Sequence, residues 1–594
     1  MKSFLKYTLA SMLALFLFSI IATIISIVSF AGMMATDSMT ASLKDNSVLR
    51  ISLAGTLQEQ TQDDPISMFT SQDKSETVAG LETLTRAIRK AKDDKHVKGI
   101  YLERPTLSGI PASVQELRQA LEDFKKSGKF IVSYGDVYSQ SGYYVCSVAD
   151  RIMVNPEGII DWHGLASEPM FFKDAMAKLG VKMQVFKVGT FKSAVEPFTN
   201  TEMSAANREQ VTAYLGGIWK SMTADVAKSR KISEEKLNTL ADEYTALHPA
   251  SYFIDNKLAD KLTYIDEVKA YLKEKMELDD DKALTFVSPN DMANAEVPDY
   301  KEQDDKIAVF YAVGDIVDAP SNSFGQQAPQ IAGTIVVDQL RELREDENVK
   351  AVVLRVNSGG GSAYASEQIW REVELLKAEK PVVVSMGGLA ASGGYYISSG
   401  ANLIFAEPTT LTGSIGIFGM IPDASELVTQ KIGLKFDVVK TNALSDMGAM
   451  GRPMNTEECS LMQAMVERGY ETFTGRVAQG RKMDKDAVKA IAEGRVWTGE
   501  KAKELGLVDR LGNLDAAIKA AAKLAKLDEG KYNTVNYPEQ ESWFMSLLND
   551  KKSGYLDAEL REALGEYYTT FSLLRTIKDQ NRLQMRMPFD PNIR

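Results

Sequence analysis

Two cysteines and three histidines are all that the 594 residues hold. Cys146 and Cys459 cannot build a disulfide framework or an all-cysteine zinc site. His96, His163 and His248 share no metal-ligand spacing, and no HExxH is present, which argues against zinc-dependent hydrolysis. A GxxxxGK[ST] phosphate cradle is missing too, and neither metal nor cofactor is expected. Cations are short: 69 Lys and Arg stand against 81 Asp and Glu, a formal net charge of −12. Phosphate backbones need clustered cations, so general affinity for nucleic acid is not expected. What remains, 44% hydrophobic and 25% charged residues, is the balance of a folded protein with chain for about three or four domains.

Charge is also missing from Tyr7 to Thr36, an almost wholly apolar run of 30 residues. A spanning helix needs about 20 such residues, whereas a cleavable secretory signal has an apolar region of about 7–15. The run therefore reads as a retained membrane anchor. Lys2 and Lys6 precede it, which places the N-terminus in the cytoplasm and everything after about residue 40 beyond the inner face. No second uncharged apolar run of spanning length follows.

The chain repeats itself at an offset of 252 residues. His96-Val97-Lys98-Gly99-Ile100 parallels Asn348-Val349-Lys350-Ala351-Val352, and SGYYVCSVADRIMVNP from Ser141 parallels GGYYISSGANLIFAEP from Gly393. After a one-residue slip, LGVKMQVFKVG from Leu179 parallels IGLKFDVVKTN from Ile432. Each copy alternates strand-like and helix-like segments. KAVVLRV (350–356) and PVVVSMG (381–387) are β-branched runs of the kind buried in parallel sheets, and the residues between them have helical spacing. The fold class is α/β, in tandem duplicate. The boundaries read as anchor 1–36, first copy 45–285, second copy 305–540 and a helical tail 541–594, with 278–305 as linker between the copies. In the tail Leu556, Leu560, Leu564, Tyr567, Tyr568, Phe571 and Leu574 recur near helical spacing, which suits packing on the body or contact with a subunit or membrane.

Three Gly/Ser-rich turns follow strands in the second copy: NSGGGSA (357–363), LAASGGYY (389–396) and LTGSIGIFG (411–419). Ser392 in AASGG is the natural nucleophile, with small neighbours and a helix start to steady an oxyanion. Glycines that merely let a strand pack on a helix would look the same, so the reading needs a base. No histidine lies in the second copy. A lysine made neutral by burial can serve instead, and Lys192 in VGTFKSAVEPF (188–198) lies among small and apolar residues.

LRVNSGGGS, SMGGLAASGGYYIS, LTGSIGIFG and GTFKSAVEPF together resemble the long, duplicated members of the signal peptide peptidase A family (peptidase family S49), from the anchor to the terminal QMRMPFDPNIR. The resemblance implies tandem ClpP/crotonase-like domains, and a serine endopeptidase that uses a Ser-Lys dyad on signal peptides left after preprotein processing. It implies Ser392 as nucleophile, Lys192 as general base, Gly393 and Gly360 as backbone oxyanion donors, and Ser414 as a partner orienting the lysine amine. Gly359 stands where the family usually shows proline. A homo-tetramer is implied, held to membrane lipid by the N-terminal helix, in the inner membrane with catalytic domains on the periplasmic side. A silent membrane-anchored scaffold and a crotonase-like acyl-transfer enzyme are the alternatives. The repeat favours the dyad: Ser392 faces Gln140, NSGGG faces PTLSG (105–109), and Lys192 faces Leu444, or Ser445 after the slip. Each copy has kept the partner that the other lost, so the site is expected between the copies, within one chain.

Overall fold

The computed structural model describes residues 18–19, 43–61, 80–295, 303–320, 329–538 and 584–587. The anchor expected over 7–36 (save Phe18 and Ser19) and the apolar series at 556–574 lie outside the described residues. Among those described, no helix is long and apolar enough to cross a membrane.

The front half contributes strands β1 (Ser47–Thr56), β2 (Val97–Ser108), β3 (Phe130–Tyr138), β4 (Arg151–Ile160), β5 (Lys182–Lys187), β6 (Lys261–Leu262) and β7 (Thr285–Val287). The rear half contributes β8 (Lys306–Val313), β9 (Asp315–Val317), β10 (Gln330–Ala332), β11 (Val349–Ser358), β12 (Gly360–Ser362), β13 (Val382–Ala391) and β14 (Leu403–Ala406). It continues with β15 (Leu411–Gly413), β16 (Phe418–Asp423), β17 (Val496–Thr498), β18 (Arg510–Leu511), β19 (Asn533–Tyr537) and, near the end of the chain, β20 (Gln584–Arg586).

Duplication is visible in the sheets. The front sheet runs β7-β1-β2-β3-β4-β6 and the rear one β19-β8-β11-β13-β14-β18, the same order of equivalent, parallel strands. The runs recognised at 350–356 and 381–387 are β11 and β13, buried on both faces as β-branched parallel strands require. Helices cover the sheets, and the long ones at Ala205–Arg230 and Thr456–Arg481 occupy equivalent places, capped by Ser204 and Asn455. The stretch read as linker is partly built into the fold. β7 pairs with β1, and the helix Pro289–Asn294 follows it, capped by Ser288. Three residues of strand among Asp, Asn and Pro leave no periodic trace, which is why composition alone read them as linker.

The halves meet along a polar seam. Arg355 of β11 donates to Glu59 (2.9 and 3.2 Å), Glu116 (2.7 Å) and Ser385 Oγ (3.0 Å), all of them buried. Asn357 links this cluster to the site, donating to Glu59 Oε1 and accepting from Leu389 N, both at 3.0 Å. Glu59→Gln weakens a buried charge pair without removing its volume, and should cost about 2 kcal/mol in denaturant unfolding; an unchanged midpoint would show that the pair does not join the halves.

Glu407 lies in the same seam. Burial, reinforced by the neighbouring Glu116, pushes its carboxyl up to about 8. Oε2 accepts from Gln119 Nε2 at 2.6 Å, and Oε1 has no partner. The folded chain keeps a proton here that the unfolded chain releases near the ordinary value of 4.5, so stability falls as pH rises from about 5 to about 8. Glu407→Gln copies the protonated form. It should stabilise by roughly 2–4 kcal/mol above pH 8 and by less than about 1 kcal/mol at pH 5. Thermal unfolding at the two pH values checks this, and an equal gain at both removes the explanation.

Candidate active site

β13 ends in Ala390-Ala391 and turns abruptly at Ser392 into the helix Gly393–Ser398. The serine backbone sits at φ 54°, ψ −114°, a strained conformation for a residue with a side chain, of order 1–3 kcal/mol. Neighbours fix it there: Ser392 N donates to Gly413 O at 2.9 Å, and Ser392 O accepts from Tyr396 N at 2.8 Å. The turn aims the hydroxyl off the sheet edge and presents Gly393 N–H in the first turn, where no intrahelical acceptor exists.

Lys192 reaches the same point from the other half. The chain leaves β5 and is clipped to the rear half through Phe191 N to Glu493 O (3.0 Å) and Gln210, which donates to Phe191 O and accepts from Val496 N (both 3.1 Å). Gly494 makes room. At φ +78°, a Cβ there would lie 2.7 Å from the Lys192 Cβ, so only glycine fits. The Lys192 Nζ lies 2.8 Å from Ser392 Oγ, 3.0 Å from Ser414 Oγ and 3.2 Å from Ser414 O. Lys192, Ser392 and Ser414 are all fully buried. Burial alone pushes the lysine pKa well below its usual 10.5. The amine is thus suited to accept a proton from the hydroxyl it touches.

Of the five residues singled out in the sequence, four converge closely. Gly393 stands beside Ser392, and Ser414 holds the amine. Gly360 approaches Gly393, so closely that a Cβ on Gly360 would meet Gly393 N at 2.6 Å. Its own N–H, however, donates to Ser358 Oγ at 3.1 Å. Gln210 and Gly494 escaped sequence reading, and Asn357 entered it only as the first residue of the NSGGGSA turn, with no role of its own. Gly494, punctuating the junction between a helix and β17, was the only one with a legible signal. Among the described residues, no group of three or more His, Cys, Asp or Glu side chains is placed to hold a metal ion.

Among the described residues, the front half shows no such site. Gln140 takes the place of Ser392, and its carboxamide is used up by His163 N, Gly164 N and Gly164 O at 2.9–3.0 Å. Trp162, fully buried, fills the place of Ser414.

A strand from the end of the chain lies against the rear site. β20 runs antiparallel between β12 and β16, with Gly361 opposite Met585 and Met587 N donating to Gly359 O at 2.6 Å. Met585 and Met587 are buried on the same side of the strand; Met587 joins a cluster with Ala391, Leu411 and Val496. An extended peptide is thereby laid along the glycine turn that flanks Ser392.

An alcohol in contact with a buried amine whose pKa is lowered is an arrangement suited to a serine hydrolase that works without histidine. Known proteins make the assignment more specific. The model of Peptidase family S49 matches residues 123–279 and 374–528, one stretch in each half, and that of Clp protease matches 320–410. "Protease 4" of Salmonella typhi is 40% identical over 503 residues, 82% of this chain and 78% of that protein. "Protease 4" of Haemophilus influenzae is 36% identical over 491 residues, 79% and 77% of the two chains. "Serine protease SPPA, chloroplastic" of Arabidopsis thaliana is 31% identical over 513 residues, 83% and 71% of the two chains. The chain belongs to peptidase family S49 and is a serine peptidase with a duplicated, Clp-like α/β fold.

Proposed function

We propose that the chain is a membrane-anchored endopeptidase that hydrolyses signal peptides and other apolar peptides, with Ser392 as nucleophile and Lys192 as general base. The observation that carries this reading is the 2.8 Å approach of Lys192 Nζ to Ser392 Oγ where both are buried. A neutral amine gives its two hydrogens to Ser414 Oγ and Ser414 O and keeps its lone pair for the serine proton. Lys192 takes that proton as Oγ attacks the peptide carbonyl, then hands it to the leaving amine. Water, activated by the same amine, releases the acyl group. Gly393 N–H faces the developing oxyanion, and Gly360 N–H joins it by turning away from Ser358 Oγ; each such donor is worth about 3–4 kcal/mol in the transition state.

The substrate takes the place of β20, pairing its backbone with residues 359–361 by strand addition and seating apolar side chains where Met585 and Met587 lie. The uncharged run at 7–36 supports an inner-membrane anchor, with both halves on the extracytoplasmic side. Tethering concentrates the enzyme near membrane-embedded peptides. Four chains would supply eight equivalent units to a closed ring, a tetramer.

The full chain in detergent should cut a synthetic signal peptide within its apolar segment, at a rate that excess chelator leaves unchanged. Cleavage of soluble polar peptides with none of the signal peptide would sink the substrate assignment.

A further inference from the structure

The front half carries a cationic cavity on a chain that is acidic overall. The cavity has a volume of about 370 Å³ and opens where β3 and β4 begin, against the C-terminal end of the helix Ile265–Lys275. Lys125, Lys129, Arg151 and Lys275 line it together with Tyr271, and Asp150 is its one carboxylate. Arg151 and Lys275 both lie over the Tyr271 ring, 5.9 and 5.5 Å from its centre. Neither has a carboxylate partner among the described residues, and Arg151 Nε is buried with no hydrogen-bond partner. Two like charges gathered on one ring repel each other, and a buried N–H without an acceptor is costly. The two lysines beside them are fixed in place. Lys125 Nζ donates to Val148 O at 2.8 Å and contacts Asp150 at 2.9 Å; Lys129 Nζ donates to Ala91 O at 2.7 Å and to Asp94 O at 2.6 Å. An ammonium has three N–H groups, so each keeps one for a ligand. A phosphate, anionic and rich in acceptor oxygens, answers all four cations.

The place of the cavity says which phosphate. β1, β2, β3 and β4 are parallel and begin at one edge of the sheet, with Ser47 beside Val97, Gly99 beside Phe130 and Val132 beside Arg151. Only ten residues separate the uncharged run that ends at Thr36 from Ser47. At no more than about 3.6 Å per residue, a link that short keeps this edge towards the surface from which the chain emerges. The cavity lies two to three strands from β1, about 10–15 Å along the same edge. The duplication supplies a control, because no apolar run precedes the rear copy. At the offset of 252, Pro381 stands there for Lys129 and Leu403 for Arg151. The equivalent helix Leu514–Leu524 has Ala520 for Tyr271 and ends in Leu524 where its front counterpart ends in Lys275. Of the four cations only Lys125 keeps a counterpart, Lys377, so the fold does not require the set. We propose that this cavity binds the phosphate of an anionic phospholipid headgroup and so fixes the orientation of the two halves on the bilayer. The inference rests on the membrane anchor proposed above. Free phosphate has the same chemistry, but only a lipid accounts for the position beside the emerging chain. One group opposes it: Asp150 puts a negative charge in the lining, although its oxygens are taken by Lys125 and by Ile131 N at 2.8 Å.

The test is hydrogen exchange of the full chain in vesicles of phosphatidylcholine alone and of phosphatidylcholine mixed in equal parts with phosphatidylglycerol. Ligand slows exchange by the factor 1 + [L]/Kd, about tenfold for a site nine-tenths filled. The mixed vesicles should do this at residues 126–132 and 271–278. Arg151→Gln with Lys275→Gln should weaken binding about 30-fold, at about fivefold per cation, and so remove that protection. Hydrolysis of a short soluble peptide should stay unchanged in this variant, which shows that it has folded. Lys98→Gln with Lys126→Gln, which removes exposed cations outside the cavity, should leave the protection in place. The proposal is overturned if the mixed vesicles protect neither segment, if phosphatidylcholine alone protects them as well, or if the protection persists without Arg151 and Lys275. It also falls if Lys98 and Lys126 matter as much, which would make the attraction diffuse surface charge. The same protection from inorganic phosphate added to phosphatidylcholine vesicles would make free phosphate the ligand and remove the lipid. Flotation with phosphatidylcholine vesicles reports on the anchor separately: a chain left behind removes the anchor, and protection of the two segments by the mixed vesicles still decides the cavity.

Discussion

Ser392→Ala and Lys192→Met should each lower peptide hydrolysis by at least about 10⁴-fold, with the fold intact. The size follows from the chemistry. Without the hydroxyl no acyl-enzyme forms, and without the amine nothing takes the serine proton; groups that act as such a unit lose nearly everything when one goes. The fold survives because Met matches the length of the lysine stem and needs no polar partner, so the substitution relieves a buried amine of its desolvation cost. Unfolding midpoints should therefore stay unchanged or rise for Lys192→Met. The pH dependence follows with a definite sign. In the proposed dyad the working form is the neutral amine, and burial holds the Lys192 pKa well below 10.5. The rate should climb with pH through an inflection far below the ordinary lysine range, and the residual rate of Lys192→Met should lack that limb. Serine-directed fluorophosphonate labelling should disappear in Ser392→Ala. A folded variant of either residue that retains even a tenth of the activity removes the dyad.

Much of this site could be read from residues alone, for a physical reason. Ser392 lies in a strand–turn–helix segment whose small residues are dictated locally, and β11 and β13 announce themselves because burial on both faces demands continuous apolar runs. Lys192 was legible from its small and apolar neighbours in VGTFKSAVEPF and from the family motif, with support from the comparison of copies, but nothing local in that segment shows what buries it. Its environment is made by the other half: Gly494, Glu493 and Val496 stand some 300 residues away in sequence. The pairing of β5 with β16 was hidden for the same reason. FGMIPD carries a proline and an aspartate and shows no alternation, and only the partner strand makes it one. Glu407 and Arg355 were invisible as well, because charged residues are read as surface until a second half buries them.

A chain lacking residues 584–594 should show a kcat/KM on a short apolar peptide about 100-fold above that of the full chain. β20 fills the strand position between β12 and β16 that an incoming peptide needs, and with it in place Ser392 is fully buried. A segment of the same chain competes at an effective concentration in the millimolar range. Against a weak peptide ligand with a dissociation constant of about 10 μM, that keeps the groove occupied roughly 99% of the time. The deletion should act on KM more than on kcat, because it frees the groove without touching the dyad. Met585→Asp with Met587→Asp should reproduce it, since two carboxylates cannot enter pockets built for thioethers. The deleted segment added back as a free peptide should inhibit competitively. If truncation leaves KM unchanged, the groove beside β12 is not where substrate binds, and the strand-addition model of recognition fails while the dyad stands.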